Sequence, residues 1–554
     1  MRHASGNKAW ILVVVLASFI LGAFTSEDIL NAITRQDVKA ASRIIGIEMN
    51  NPEIDSLLPD LNEFRDAYIK SRAAKLDNSV APALVFDPIP DVYIKKLSGR
   101  NAIALKNPGK VELPKDKDML AWYSLQELAY LIREKKISSV ELTKFFIARL
   151  KKYDPMLKCV ITITEDLALE QAKKADAEIA KGNYKGTLHG IPYGIKDLFA
   201  TKKYKTTWGA EPYKDQVLDY NATVVEKLNE SGAVMVAKLT LGALAMGDEW
   251  YGGMTRNPWD MSTGSSGSSA GSASAVAAGL VPFAIGTETL GSIVSPSTVC
   301  GTAGLRPTFG RVSRHGAMAL SWSMDKIGPI CKTAEETAIV FNAIRGRDDK
   351  DLSTYDAPFY YRPNIHNTIK VGYVKSDFEK DYPFKKQDSL SLRTLKQMGI
   401  ELIPIELPNL PDISPILLAE AAAAFDDLTL SNQDDELKQQ AKNAWPNIFR
   451  GARFIPAVEY IQANRLRTQL IADMEKLFEK VDAYVHPSWA SQSLRITNFT
   501  GHPCIVVPNG FQANGHPTSI SFTGKWLKEG EIISLAEAYQ KRAGFYKKHP
   551  TLKK

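Results

Sequence analysis

The chain has 554 residues, 44% of them hydrophobic and 24% charged, with 69 basic against 62 acidic side chains and a formal net charge of +7. This length supports a large core and, by length alone, two to four domains; the composition excludes a chain disordered throughout. The weak basic bias contains no block of five or more like charges, so no nucleic-acid partner is expected, and with Cys159, Cys300, Cys331 and Cys504 widely spaced and no HExxH motif, neither a metal nor a cofactor is expected.

At the N-terminus Arg2, His3 and Lys8 precede an uncharged, mostly apolar run, Ala9 to Phe24, closed by Ser26, Glu27 and Asp28. The run is shorter than the roughly 20 residues of a spanning helix, and a basic head on a short apolar body reads as an export signal. Gly22 and Ala23 make a poor cleavage site, so an uncleaved anchor is the alternative. Residues 1–25 are therefore assigned to a signal peptide or membrane anchor. The expected location is exported, periplasmic or membrane-associated, ahead of cytoplasmic, with membrane association through this segment.

Residues 26–117 are helix-prone, then loop-rich and dotted with proline, and form an N-terminal extension without recognisable chemistry. Within it VAPALVFDPIPDVYIKK reads as extended chain, because proline biases the preceding residue away from helix. The main domain spans 118–545. Ser124 with Glu127 and Ser138 with Glu141 are capping boxes, and Leu142, Phe146 and Leu150 share one helical face. A third helix ends at Gly182. Beyond it, short apolar runs such as AVMVAKL, VPFAIG, IKVGYV, VDAYVHP and CIVVPNGF alternate with helical stretches, up to a final helix around Ile533 to Tyr546. The alternation predicts an α/β protein with helices on both faces of a sheet.

Three segments carry chemistry. GTLHGIPYGIKDLF sets Lys196 and Asp197 in an apolar frame. STGSSGSSAGSASAVAAGL has seven serines and four glycines in nineteen positions and runs into a small-residue helix. Glycines there permit positive φ and close approach, and a loop entering a helix offers free N–H groups. AIGTETLGSIVSPSTVCGTAGLRPTFGRVS places Ser292 in a glycine-flanked turn after an apolar strand, where backbone N–H groups can converge on an oxyanion. A different reading takes GSSAG, 267–271, as a nucleophile elbow centred on Ser269, which requires a strand immediately before it.

In order and spacing the three segments resemble the amidase signature family, whose pattern runs roughly GxPxxIKD, GGSSGGS and GTDxGGSIRxPAxxCG. The likeness continues through GLRPTFGRVSRHG and SMDKIGPI and, more weakly, TNFTGHPCIVVPNG, so that it covers about 118 to 545. It implies an amidase signature fold with a mixed central β-sheet. It also implies hydrolysis of a carboxylic amide of a small molecule through an acyl-serine intermediate. Ser292 is then the nucleophile, Ser268, held on a cis peptide bond, the bridge, and Lys196 the base. The backbone N–H groups of Thr289, Leu290, Gly291 and Ser292 form the oxyanion hole. A lysine serves as base if burial frees its lone pair, and a hydroxyl suits the middle place because it both donates and accepts. Asp197 is read as structural, since a carboxylate paired with Lys196 would keep the amine protonated.

The sequence departs from the pattern at Glu288 for Asp, Leu290 for Gly, Val294 for Arg and Ala270 for Gly. A positive φ at 290 would strain leucine. Two alternatives stand beside the amidase. One is the glutaminase component of an aminoacyl-tRNA amidotransferase, its A-type chain, which shares this core and works with partner chains. The other is a catalytically impaired binding protein of the same fold. The substrate and the oligomeric state stay open, a homodimer among the options. Candidate pocket elements are AEAAAAFDDLTL, whose Ala419 to Phe425 reads first as a core helix, the helix around Trp445 to Arg467, and Trp489, which either borders a pocket or simply packs.

Overall fold

The computed structural model describes residues 33–73, 76–89 and 101–552; the basic and apolar N-terminal stretch lies outside them. The chain divides into two units, one of residues 1–77 with 454–456, the other of 78–453 with 457–554. In the larger unit Ala102–Ile103 adds a short parallel ladder to Tyr360–Tyr361.

The small unit contains helices α1 (Arg35–Ile45) and α2 (Asn51–Arg72), each opened by a capping box, at Thr34 and at Asn50. Among the described residues no helix is long and apolar enough to cross a membrane.

In the large unit, Ser124 and Ser138 cap helices α3 (Leu125–Arg133) and α4 (Ser139–Leu157) through Glu127 and Glu141, as their spacing predicts. Helix α5 covers Glu165–Ala180. Behind them is one sheet of eleven strands: β1 (Val160–Ile163), β2 (Pro192–Lys196), β3 (Val234–Leu239), β4 (Phe283–Glu288), β5 (Ala303–Arg306), β6 (Lys326–Cys331), β7 (Val371–Val374), β8 (Leu402–Ile405), β9 (Ala483–Pro487), β10 (Cys504–Phe511) and β11 (Pro517–Gly524). Their spatial order is β8-β7-β9-β11-β10-β5-β6-β4-β2-β3-β1. The sheet is mixed. β2 runs parallel to β3 and β4, whereas β4 and β6 are antiparallel. Strands β2, β3, β4 and β6 are buried at every position, which is why they read as continuous apolar runs and not as alternating ones.

Two short helices matter for the site. Helix α6 (Ala270–Ala277) is made of Ala, Gly, Ser and Val, and all eight residues are buried. Its small side chains permit close approach: a Cβ on Gly271 would meet the Cys159 carbonyl at 2.4 Å. Helix α7 (Val294–Cys300) follows β4 after a turn of five residues.

Candidate active site

Register brings the three sequence segments together. β2 pairs with β4 at Gly194–Ala284 and Ile195–Ile285, so Lys196, the last residue of β2, lies beside the end of β4 that carries Thr287. Lys196 is fully buried. Its Nζ lies 2.8 Å from Ser268 Oγ, 2.8 Å from Thr287 Oγ1 and 3.2 Å from Ser269 Oγ. Both serines come from the loop that enters α6. The loop is tightly constrained: a Cβ on Gly267 would meet the Gly247 carbonyl oxygen at 1.7 Å. The Gly267–Ser268 peptide bond is cis, the geometry that the family likeness implies.

The two serines differ in their hydrogen bonds. Ser269 Oγ donates to the Thr287 carbonyl at 3.0 Å and accepts from the Thr287 N–H at 3.1 Å. Its single proton is committed, so toward Lys196 it can only accept. A neutral amine has two N–H groups and one lone pair. With Ser269 taking an N–H, the lone pair is left for a hydroxyl proton such as that of Ser268. Ser269 is also fully buried and follows a loop instead of a strand, which removes the features a nucleophile elbow needs.

Ser292 sits in the turn between β4 and α7 and is 9% exposed. The Ser269 N–H donates to the Ser292 carbonyl at 3.2 Å, which ties the two serine-bearing turns together. The structure thus closes the Lys196–Ser268 link. No hydrogen bond joins the Ser292 hydroxyl to Ser268 among the described residues, so that link requires a change of the Ser292 or Ser268 side chain.

The turn itself is clamped by Glu288. Its carboxylate accepts from Ile293 N–H at 2.8 Å and Val294 N–H at 2.9 Å, pairs with Arg306 at 2.8 Å and accepts from Asn498 Nδ2 at 2.8 Å. Among the described residues, none of the N–H groups of Thr289, Leu290, Gly291 and Ser292 donates to another protein group. They are free for an oxyanion. The positive φ, +95°, falls on Gly291 and not on Leu290, so leucine is accommodated without backbone strain. Val294 is buried in a small apolar cluster with Cys504, Val506 and Leu494, an environment that suits an apolar side chain better than the arginine of the family pattern.

Burial brings Lys196 down to about 7 from the ordinary lysine value of 10.5, against an opposing pull from Asp325 and Glu288. Burial also works to raise Glu288, but Arg306 and the donated hydrogen bonds outweigh it and hold the carboxyl below the usual carboxylate range. Asp325 is raised by burial; its oxygens accept from Thr289 Oγ1 at 2.6 Å and from the Leu320 and Ser321 N–H groups. Asp197 is turned away from Lys196. It accepts from the Thr207 N–H and hydroxyl and pairs with buried Lys238 at 2.9 Å, which agrees with the structural reading.

A cavity of about 520 Å³ adjoins the site, with Thr287 and Thr289 in its wall. Residues 419–430 and 445–467 do not line it; Phe425, Phe449 and Trp445 instead stack on one another as packing. Trp489 borders a separate cavity of about 300 Å³ beside Asp388. Sequence reasoning missed Thr287 and Ser269 as partners of Lys196, and it missed the wall formed by residues 78–86. The polar pair Thr287 and Glu288 ending an otherwise apolar strand was the available signal for Thr287.

The chain is similar to known proteins along most of its length. A family model described as Amidase matches residues 141–500. The A chain of the glutamyl-tRNA(Gln) amidotransferase from Coxiella burnetii is 34% identical over 484 residues, covering 78% of this chain and 99% of that one. Among solved structures, an amidase family protein from Bacillus anthracis superposes with a TM-score of 0.70 at 30% identity, over 78% of this chain and 92% of its own. The native peptide amidase of Stenotrophomonas maltophilia superposes with a TM-score of 0.70 at 28% identity, over 77% and 98%.

Proposed function

The chain belongs to the amidase signature family, and on that premise we propose that it hydrolyses a carboxylic amide C–N bond through an acyl-serine intermediate on Ser292. The observation that carries this reading is the buried Lys196 amine, brought down to about 7 and hydrogen-bonded to Ser268. Lys196 takes the Ser268 proton as Ser268 takes that of Ser292, and Ser292 Oγ attacks the carbonyl carbon. The N–H groups of 289–292 receive the oxyanion. The proton returns through Ser268 to the leaving nitrogen, the C–N bond breaks, and water repeats the relay on the ester.

A second reading shares this chemistry but assigns the amide to glutamine, within a glutamyl-tRNA(Gln) amidotransferase. It is supported by the relatives from Coxiella burnetii and Acinetobacter baumannii, which carry the name of that enzyme and match along 98–99% of their own length. On names alone the relatives favour this second reading over a free-standing amidase. Export, supported by Arg2, Lys8 and the apolar run that follows, belongs to the first reading.

The test is release of carboxylic acid from simple amides and from L-glutamine by the purified chain, with Ser292→Ala as control, together with fractionation of the source cells. Turnover lost in Ser292→Ala supports the common chemistry. Glutamine turnover that needs added partner chains, by a protein found in the cytoplasm, selects the second reading. Turnover retained in Ser292→Ala contradicts both.

A further inference from the structure

We propose that residues 78–86 form a fixed wall of the substrate cavity and select amides bearing an apolar alkyl or aryl group. The inference rests on the amide-hydrolase reading and goes beyond it. These residues precede the stretch 141–500 that the family model matches, and they carry no catalytic group.

Three observations carry it. First, the segment is anchored at both ends. Asn78 donates to the Ala319 and Ala424 carbonyls at 3.0 Å and accepts from the Ala319 N–H at 2.8 Å. The Phe86 ring lies 3.4 Å beneath the Arg467 guanidinium and 5.1 Å from the Phe309 ring. Second, between the anchors Leu84 is 78% and Val85 51% exposed, and both line the cavity whose wall includes Thr287 and Thr289. Leu198, Met318, Trp322 and Ile327 line the same space. Apolar surface of this kind gains when an alkyl or aryl group covers it.

Third, the charges around the cavity are already used. Arg314 pairs with Asp351 at 3.1 Å, Lys350 pairs with Glu226 at 3.5 Å, and both Asp325 oxygens accept hydrogen bonds from the Thr289 hydroxyl and backbone N–H groups. The ammonium and carboxylate of a free amino-acid amide would therefore enter a space whose charges are spoken for, at a desolvation cost. An alkyl chain meets no such cost.

The experiment compares acetamide, octanamide, N-octylacetamide and L-glutamine on the full chain, following carboxylic acid release, before and after the double change Leu84→Ser with Val85→Ser. At least one octyl amide is expected to exceed acetamide in kcat/KM by about tenfold or more, since each buried methylene contributes severalfold. The double variant is expected to remove about tenfold of that gain, lowering octyl-amide turnover more than acetamide turnover, with a denaturant midpoint that shows the variant is folded. Acetamide turnover with no gain for either octyl amide overturns the proposal and leaves amide hydrolysis standing. So does an equal loss on every substrate, or a kcat/KM for glutamine above those of both octyl amides. No acid from any substrate overturns this proposal and the amidase reading together.

Discussion

Replacing Thr287 with aspartate tests the charge state on which the chemistry depends. Thr287 Oγ1 lies 2.8 Å from Lys196 Nζ, and no carboxylate makes a hydrogen bond to that amine among the described residues. A carboxylate at about 4 Å in a protein environment attracts the ammonium by about 4 kcal/mol, equivalent to a rise of about three pH units. The unaltered amine, at about 7, is about half neutral at pH 7. In Thr287→Asp its inflection moves toward 10, and the neutral fraction at pH 7 falls from about half to about one in a thousand. Because the base must be unprotonated, kcat/KM in the parent rises tenfold per pH unit up to about 7 and then levels. In the variant the same rise continues to about 10. The assay is kcat/KM for a simple amide between pH 5 and 10. An inflection that stays near 7 in the variant, or a loss independent of pH, refutes the reasoning, because damage to the fold is not repaired by alkali.

Other changes give separate expectations. Gly291→Ala places a Cβ at φ +95° and lowers kcat/KM by about tenfold or more, whereas Leu290→Ala, at a position without positive φ, stays within about threefold; steady-state kinetics on both variants decide this. Glu288→Gln leaves the fully buried Arg306 without its ionic partner and lowers unfolding free energy by about 3–5 kcal/mol, read from denaturant midpoints. Ser269→Ala keeps the Ser268 bridge and retains measurable turnover, while Ser292→Ala loses about 10⁴-fold or more in kcat.

The local signals in the sequence translated directly into structure where one segment decides the outcome. Ser124, Ser138 and their glutamates cap helices because the capping box is closed within four residues. The buried strands were legible as apolar runs, and the site as three motifs whose order and spacing match a family. What the residues alone did not reveal depends on contacts between distant parts of the chain. Thr287 reaches Lys196 only through the β2–β4 register, and Glu288 finds Arg306 and Asn498 across the sheet. The effect of Leu290 turned on one backbone angle, which the following glycine absorbs. Ala419 to Phe425, whose small apolar residues read first as a core helix, packs against the helix that begins at Trp445. The segment 78–86, read as extended chain around its single proline, Pro82, lines the cavity instead.

The central claim is that Ser292 is made reactive by Lys196 through Ser268. The most direct measurement is peptide mass spectrometry after reaction with a fluorophosphonate at pH 8. The account predicts a single adduct on Ser292, formed in Ser269→Ala as well as in the parent chain, and slowed by orders of magnitude in Lys196→Ala. An adduct on Ser269, or one on Ser292 that forms as fast without Lys196, contradicts it.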